Sequence, residues 1–175
     1  MNSTEFSAAH SITDAAPQRI KKNAFTTKAF AKCVKEFIEQ NFAGLAEVEC
    51  DIPVNLWILI SSDYAAYFFK KLLTDIYGRI FLKISLLTDE KQLTITIKSD
   101  SPFPLDYYKT NELIRQARNA GCEILSADEG FVMTIPILKE ASLSVYAIPV
   151  DHCAQIIKRS FNNIFFYNTD KSTDK

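Results

Sequence analysis

Four cysteines and two histidines are the first candidates for chemistry, and their spacing offers little. Cys33, Cys50, Cys122 and Cys153 form no C-x-x-C pair, and His10 and His152 are remote from one another in the chain. A zinc site needs clustered thiolates or imidazoles, so no metal ligand is expected. The four thiols read as buried, unpaired cysteines of a reducing cytosol. No Ser/His/Asp set, paired-carboxylate cleft or Cys/His dyad can be assembled, so no catalytic residue is assigned. His10 lies in a short polar stretch that cannot build the long helical hairpin a phospho-accepting histidine needs. His152, near a helix start, reads as structural. Asp100 closes a strand-like run and opens Asp100-Ser101-Pro102-Phe103-Pro104, where an aspartate is ordinarily a turn-former. Lys70, Lys71, Arg115 and Arg118 read as solvated charges on outward helix faces. Together with Arg79 they would make a basic surface for an acidic partner.

These residues need elements to position them. Apolar residues Phe30, Val34, Phe37, Ile38 and Phe42 recur at helical spacing behind Thr26 and Thr27, either of which can cap the helix. Residues 46–52 alternate weakly and end at Pro53, which reads as an edge strand. Residues 56–60 are a short strand or a buried connection. Ser61, Ser62 and Asp63 open the clearest helix, whose stripe runs through Ala65, Phe68, Phe69, Leu72, Leu73 and Ile76. Ile80, Leu82, Ile84 and Leu86 alternate on one strand, and Leu93, Ile95 and Ile97 on the next, which predicts a hairpin. Thr94, Thr96 and Lys98 form the wet face of that second strand. A helix over about 110–120 ends at Gly121. A second hairpin joins 122–125 to 131–137. Residues 142–148 suggest one more strand, and Pro149 and Asp151 start a last helix with a stripe through Cys153, Ile157, Phe161, Ile164 and Phe165.

Strand pairs alternating with helices predict an α+β fold: a two-layer α/β sandwich, with a mixed, mostly antiparallel sheet and helices on one face. This order resembles the ATP-binding domain of histidine-kinase-like (GHKL) ATPases. The run Phe68-Phe69-Lys70-Lys71-Leu72-Leu73-Thr74-Asp75-Ile76 looks like the family's N-box helix. Ile95-Thr96-Ile97-Lys98-Ser99-Asp100-Ser101 looks like the strand that delivers its adenine-contacting aspartate, and the last helix and hairpin match through Pro136.

The resemblance implies ATP and Mg²⁺, but the residues that would hold them have changed. Lys71 and Asp75 occupy the two asparagine places of the N-box, and a lysine repels Mg²⁺ rather than ligating it. Pro102 and Pro104 replace glycines that let the backbone approach the base. Tyr107-Tyr108-Lys109-Thr110-Asn111-Glu112 stands where a phosphate-wrapping glycine segment belongs. Only Asp100 keeps its place, as an adenine contact. The expected function is therefore a degenerate regulatory or protein-binding module of bacterial-type signalling, without a cofactor and without phosphotransfer. A divergent ATP-binding protein similar to anti-sigma-factor serine kinases is the alternative, which would make it an ATP-dependent protein kinase. An unrelated α/β interaction domain is the third reading.

Composition limits partners and place. The net charge of −1 argues against a nucleic-acid binder, which carries a basic face. The N-terminus lacks a basic start followed by an apolar stretch, and no apolar run is long enough to span a bilayer. A cytoplasmic protein with no membrane contact is expected. Its expected partner is another protein, either a signalling protein or a second copy docked through the helix at 150–166. The reading divides the chain into an arm at 1–25, the main domain at 26–139, an extension at 140–168 and a tail at 169–175.

Overall fold

The computed structural model describes residues 21–86, 91–127, 130–139 and 143–167. Most of the expected arm and tail lies outside them. Strand β1 (Asn23–Thr26) leads directly into helix α1 (Thr27–Asn41), followed by β2 (Ala46–Asp51) and β3 (Trp57–Ile60). Helix α2 (Ser62–Leu73), the hairpin of β4 (Ile80–Leu86) and β5 (Gln92–Ser99), and helix α3 (Tyr107–Ala120) come next. The hairpin of β6 (Glu123–Ala127) and β7 (Gly130–Pro136), the single turn α4 (Leu143–Tyr146) and helix α5 (Val150–Asn162) complete the order. A π-helical turn, Asn163–Tyr167, extends α5.

Five strands form one sheet in the order β2-β4-β5-β7-β6. Only β2 and β4 run parallel; the other neighbours are antiparallel. The mixed, mostly antiparallel α+β sandwich expected from the sequence is thus present. Period-2 alternation divides its faces. Leu82, Ile84, Ile95, Ile97, Met133 and Ile135 are buried, whereas Phe81, Lys83 and Lys98 are exposed. The buried face meets Phe30, Val34 and Ile38 of α1 and Ala65, Phe68, Phe69 and Leu72 of α2, all in one core.

Local chemistry sets the helix ends. The Thr26 hydroxyl accepts from the Ala29 amide at 3.4 Å and caps α1. The Thr27 hydroxyl instead accepts from the Leu56 amide at 3.0 Å, which ties the helix to the loop before β3. Ser61 caps α2 through the Tyr64 amide at 3.1 Å. Helix α3 starts earlier than the predicted 110, because Asp106 accepts from the Lys109 amide at 2.7 Å. It ends at Gly121, whose φ of 99° is the left-handed cap that favours glycine.

Three parts differ from the sequence reading. Asn23–Thr26 is no arm but a strand, antiparallel to β3 from Asn23 opposite Ile60 to Thr26 opposite Trp57. The segment expected as a strand at 142–148 holds a helical turn over Leu143–Tyr146, and only Ala147 bridges to Ala24. Helix α5 ends at Asn162, so Ile164 and Phe165 of its expected stripe fall in the π-helical turn instead. Its stripe of Cys153, Ile157, Ser160 and Phe161 is buried against the outer side of α1 and α2. There the Ser62 and Ser160 hydroxyls share a buried hydrogen bond of 2.7 Å.

Candidate functional site

Asp100 follows β5, where the alternation delivers it to the end of the sheet next to the loop that leaves α2. Its carboxylate accepts the Arg79 amide at 2.7 Å, and its own amide donates to the Arg79 carbonyl at 3.3 Å. This two-way clamp fastens residues 74–79 to the strand end. Gly78 is pressed beneath it: a Cβ there would lie 2.3 Å from Asp100 Oδ1 and 2.4 Å from Ser101 Oγ. Among the described residues, Ser101 Oγ is buried and makes no hydrogen bond.

The other two predicted site residues fall in different elements. Lys71 lies in the last turn of α2, half-buried, with its ammonium 5.5 Å from the centre of the Tyr67 ring. That contact is a cation–π attraction. Asp75 is not on the helix. Thr74 turns extended with ψ 132°, and Asp75 follows with φ 66°, a left-handed conformation that aspartate tolerates better than most residues. The apolar stripe through Ile76 suggested a longer helix because Ile76 is itself buried, but it reaches the core from the loop.

Three of the basic residues have local partners. Arg115 pairs with Glu112, Arg118 meets Glu123 at 3.4 Å, and the Lys70 ammonium donates to the Ile164 carbonyl at 3.0 Å. Among the described residues no three His, Cys, Asp or Glu side chains come together as a metal site, and no helix is long and apolar enough to cross a membrane. One feature went unread in the sequence. A shallow depression of about 470 Å³ on the open sheet face is lined by Glu47, Glu49, Phe81, Lys83, Thr96 and Lys98. The wet face was legible in Thr94, Thr96 and Lys98. The acidic row of β2 that borders the depression was not, since it depends on β2 pairing beside β4.

The thiols behave as structural groups. Cys33, Cys122 and Cys153 are buried, while Cys50 is exposed. Even Cys50 is partly shielded by α1: its sulfur donates to the Ala31 carbonyl at 3.7 Å, and desolvation raises its pKa. Burial, with Glu123 adding to it, pushes the Cys122 thiol from 9.0 up to about 12. Burial likewise holds the Tyr64 phenol, which donates to the Leu113 carbonyl at 2.6 Å, well above its ordinary range. A raised acid pKa stabilises the fold fully below the unfolded value, and that contribution fades as pH climbs towards the folded one. Stability should therefore fall as pH rises from about 9 to about 12, the window that Cys122 sets. Urea midpoints measured across this range should drop less steeply in Cys122→Ala. An equal slope in the variant would assign the loss elsewhere.

No family model matches the chain, and no curated protein matches it. Among solved structures it is similar to the nucleotide-free catalytic domain of histidine kinase ThkA, at 9% identity and a TM-score of 0.44. That match covers 66% of this chain and 96% of the other. It is also similar to the cytoplasmic segment of histidine kinase QseC, at 9% identity, 79% and 87% coverage and a TM-score of 0.45. A third is the Acinetobacter baumannii histidine kinase AdeS, at 14% identity, 78% and 77% coverage and a TM-score of 0.45. These likenesses concern the path of the chain alone.

Proposed function

We propose that the protein is a regulatory or protein-binding module of bacterial-type signalling, built on a degenerate histidine-kinase-like fold and working without phosphotransfer. The observation that carries this reading is the clamp on Asp100. One oxygen of the carboxylate that the resemblance would offer to an adenine amino group is here held by the Arg79 amide, with Gly78 packed against that oxygen. The remaining residues do not fit Mg-ATP either. The Lys71 ammonium has no lone pair for a hard cation. Asp75 stands off the helix that would aim it, in a loop of opposite backbone hand. Four unpaired thiols suit a reducing, cytoplasmic compartment for such a module.

Thermal shift and calorimetry with Mg-ATP and Mg-ADP test the proposal. No shift and no heat are expected. A ligand at a hundred times its dissociation constant would stabilise the fold by about 2.7 kcal/mol, well within detection. Micromolar binding that disappears in Asp100→Asn would overturn the proposal and establish the divergent ATP-binding reading instead.

A further inference from the structure

The open face of the sheet carries one row in which a ring stands between opposite charges. The strand register sets Glu47 of β2, Phe81 of β4 and Lys98 of β5 side by side at a single level. All three line the depression of about 470 Å³. Glu47 and Lys98 are exposed, and Phe81 between them is 41% exposed. Neighbouring strands lie about 4.8 Å apart, so the two charges are separated by two strand spacings and the ring. Among the described residues, neither Glu47 nor Lys98 belongs to an ion pair. The neighbouring charges on this face are already matched: Lys83 of β4 meets Glu49 of β2 at 3.8 Å.

This row is complementary to itself. A two-fold axis that runs along β4 above Phe81 exchanges the places of β2 and β5 between two facing sheets. It lays Glu47 of each copy over Lys98 of the other and brings the two Phe81 rings together at the centre. A two-fold axis across the strands would instead lay β2 over β2 and β5 over β5, setting like charges together. Only the first orientation matches charge to charge. The two copies of Lys83 also fall near the axis. Each keeps its own Glu49, and the angle of about 30° at which aligned sheets pack carries them apart. We propose that the open sheet face docks on the same face of a second copy about the axis along β4, with Phe81 at its centre and two Glu47–Lys98 pairs at its sides. Only three strands take part, so the contact is small and the dimer is a dissociating one.

Sedimentation equilibrium of the full chain at about 100 μM, where interfaces of micromolar affinity are filled, should show a reversible dimer. Glu47→Lys sets lysine against Lys98 of the other copy and should give a monomer. Lys98→Glu sets glutamate against Glu47 and should do the same. The double variant Glu47→Lys/Lys98→Glu restores both pairs with their signs reversed and should recover the dimer. Phe81→Ser should weaken the parent dimer about tenfold or more, since a central aromatic carries much of an interface. Both charged positions are exposed, so the urea midpoints of the charge variants should stay near that of the parent. A monomeric parent, a dimer that persists in either single charge variant, or a double variant that stays monomeric while folded would each overturn the proposal. So would an unchanged dissociation constant in Phe81→Ser. None of these outcomes bears on nucleotide binding.

Discussion

Phe161→Ala should remove about 3–5 kcal/mol of stability, the range for truncating a buried aromatic. Phe161 is 1% exposed although it lies near the end of the described chain. Its ring centre is 5.2 Å from that of Phe37 on α1, 6.2 Å from that of Phe69 on α2 and 6.1 Å from that of Phe165. Aromatic pairs add to area burial, and removal of this ring leaves three others facing a void. Small domains are stable by about 5–15 kcal/mol in all, so about a fifth of the total or more is at stake. Phe166, 42% exposed with its ring beside those of Phe37 and Phe165, should cost far less as Phe166→Ala. Urea titration of both variants checks the contrast. A loss below about 1 kcal/mol for Phe161→Ala would mean that α5 is an appendage free to leave for a partner, against the packing seen here.

Gly130→Ala is the second large effect. Gly130 opens β7 opposite Lys98 of β5. A Cβ at this position would lie 1.8 Å from the Ile97 carbonyl oxygen. The obstacle is backbone in a central strand, so no side-chain rotation can relieve it. The cost should reach about 3 kcal/mol, the upper end for overpacking, because β5 and β7 must separate at the start of their ladder. Thr134→Ala, on the open face of the same strand, changes only a half-buried side chain and should stay within about 1 kcal/mol. Equal stability of Gly130→Ala and the parent would mean that the ladder begins later than Gly130.

Much of this architecture was readable because the signals were periodic. The run from Ala65 to Leu72 keeps one phase for about two turns, and only one helix face satisfies it. The strands from Ile80 and Gln92 alternate cleanly, so their pairing and their wet side followed. Other parts were hidden because they depend on distant partners. Asn23–Thr26 has four residues and no pattern; it is a strand because Trp57–Ile60 lies beside it. Leu143–Tyr146 carries strand-forming residues yet makes a helical turn, since only Ala147 finds a pairing partner. The candidate site divides in the same way. The lysine at 71, where the resemblance would put an asparagine, is written in the chain. The hold on Asp100 is not, since the amide that fills it belongs to Arg79, in a loop placed by the end of α2. The displacement of Asp75 was half visible: Asp75 and Gly78 are poor helix residues, but buried Ile76 between them continued the stripe.

The small β1–β3 pair has a consequence for synthesis of the protein. The Ile148 amide donates to the Ala24 carbonyl at 3.0 Å, and the Cys33 thiol donates to the Ala154 carbonyl at 3.7 Å. Residues of β1 and α1 are therefore fastened to residues made long after them. Until α5 has been made, α1 and α2 lack the helix that packs on them, and Phe37 and Phe69 lack one wall of their packing. Closing so long a loop is slow compared with local helix formation. The aromatic seam of Phe37 and Phe69 therefore stays open until α5 has been made and has docked.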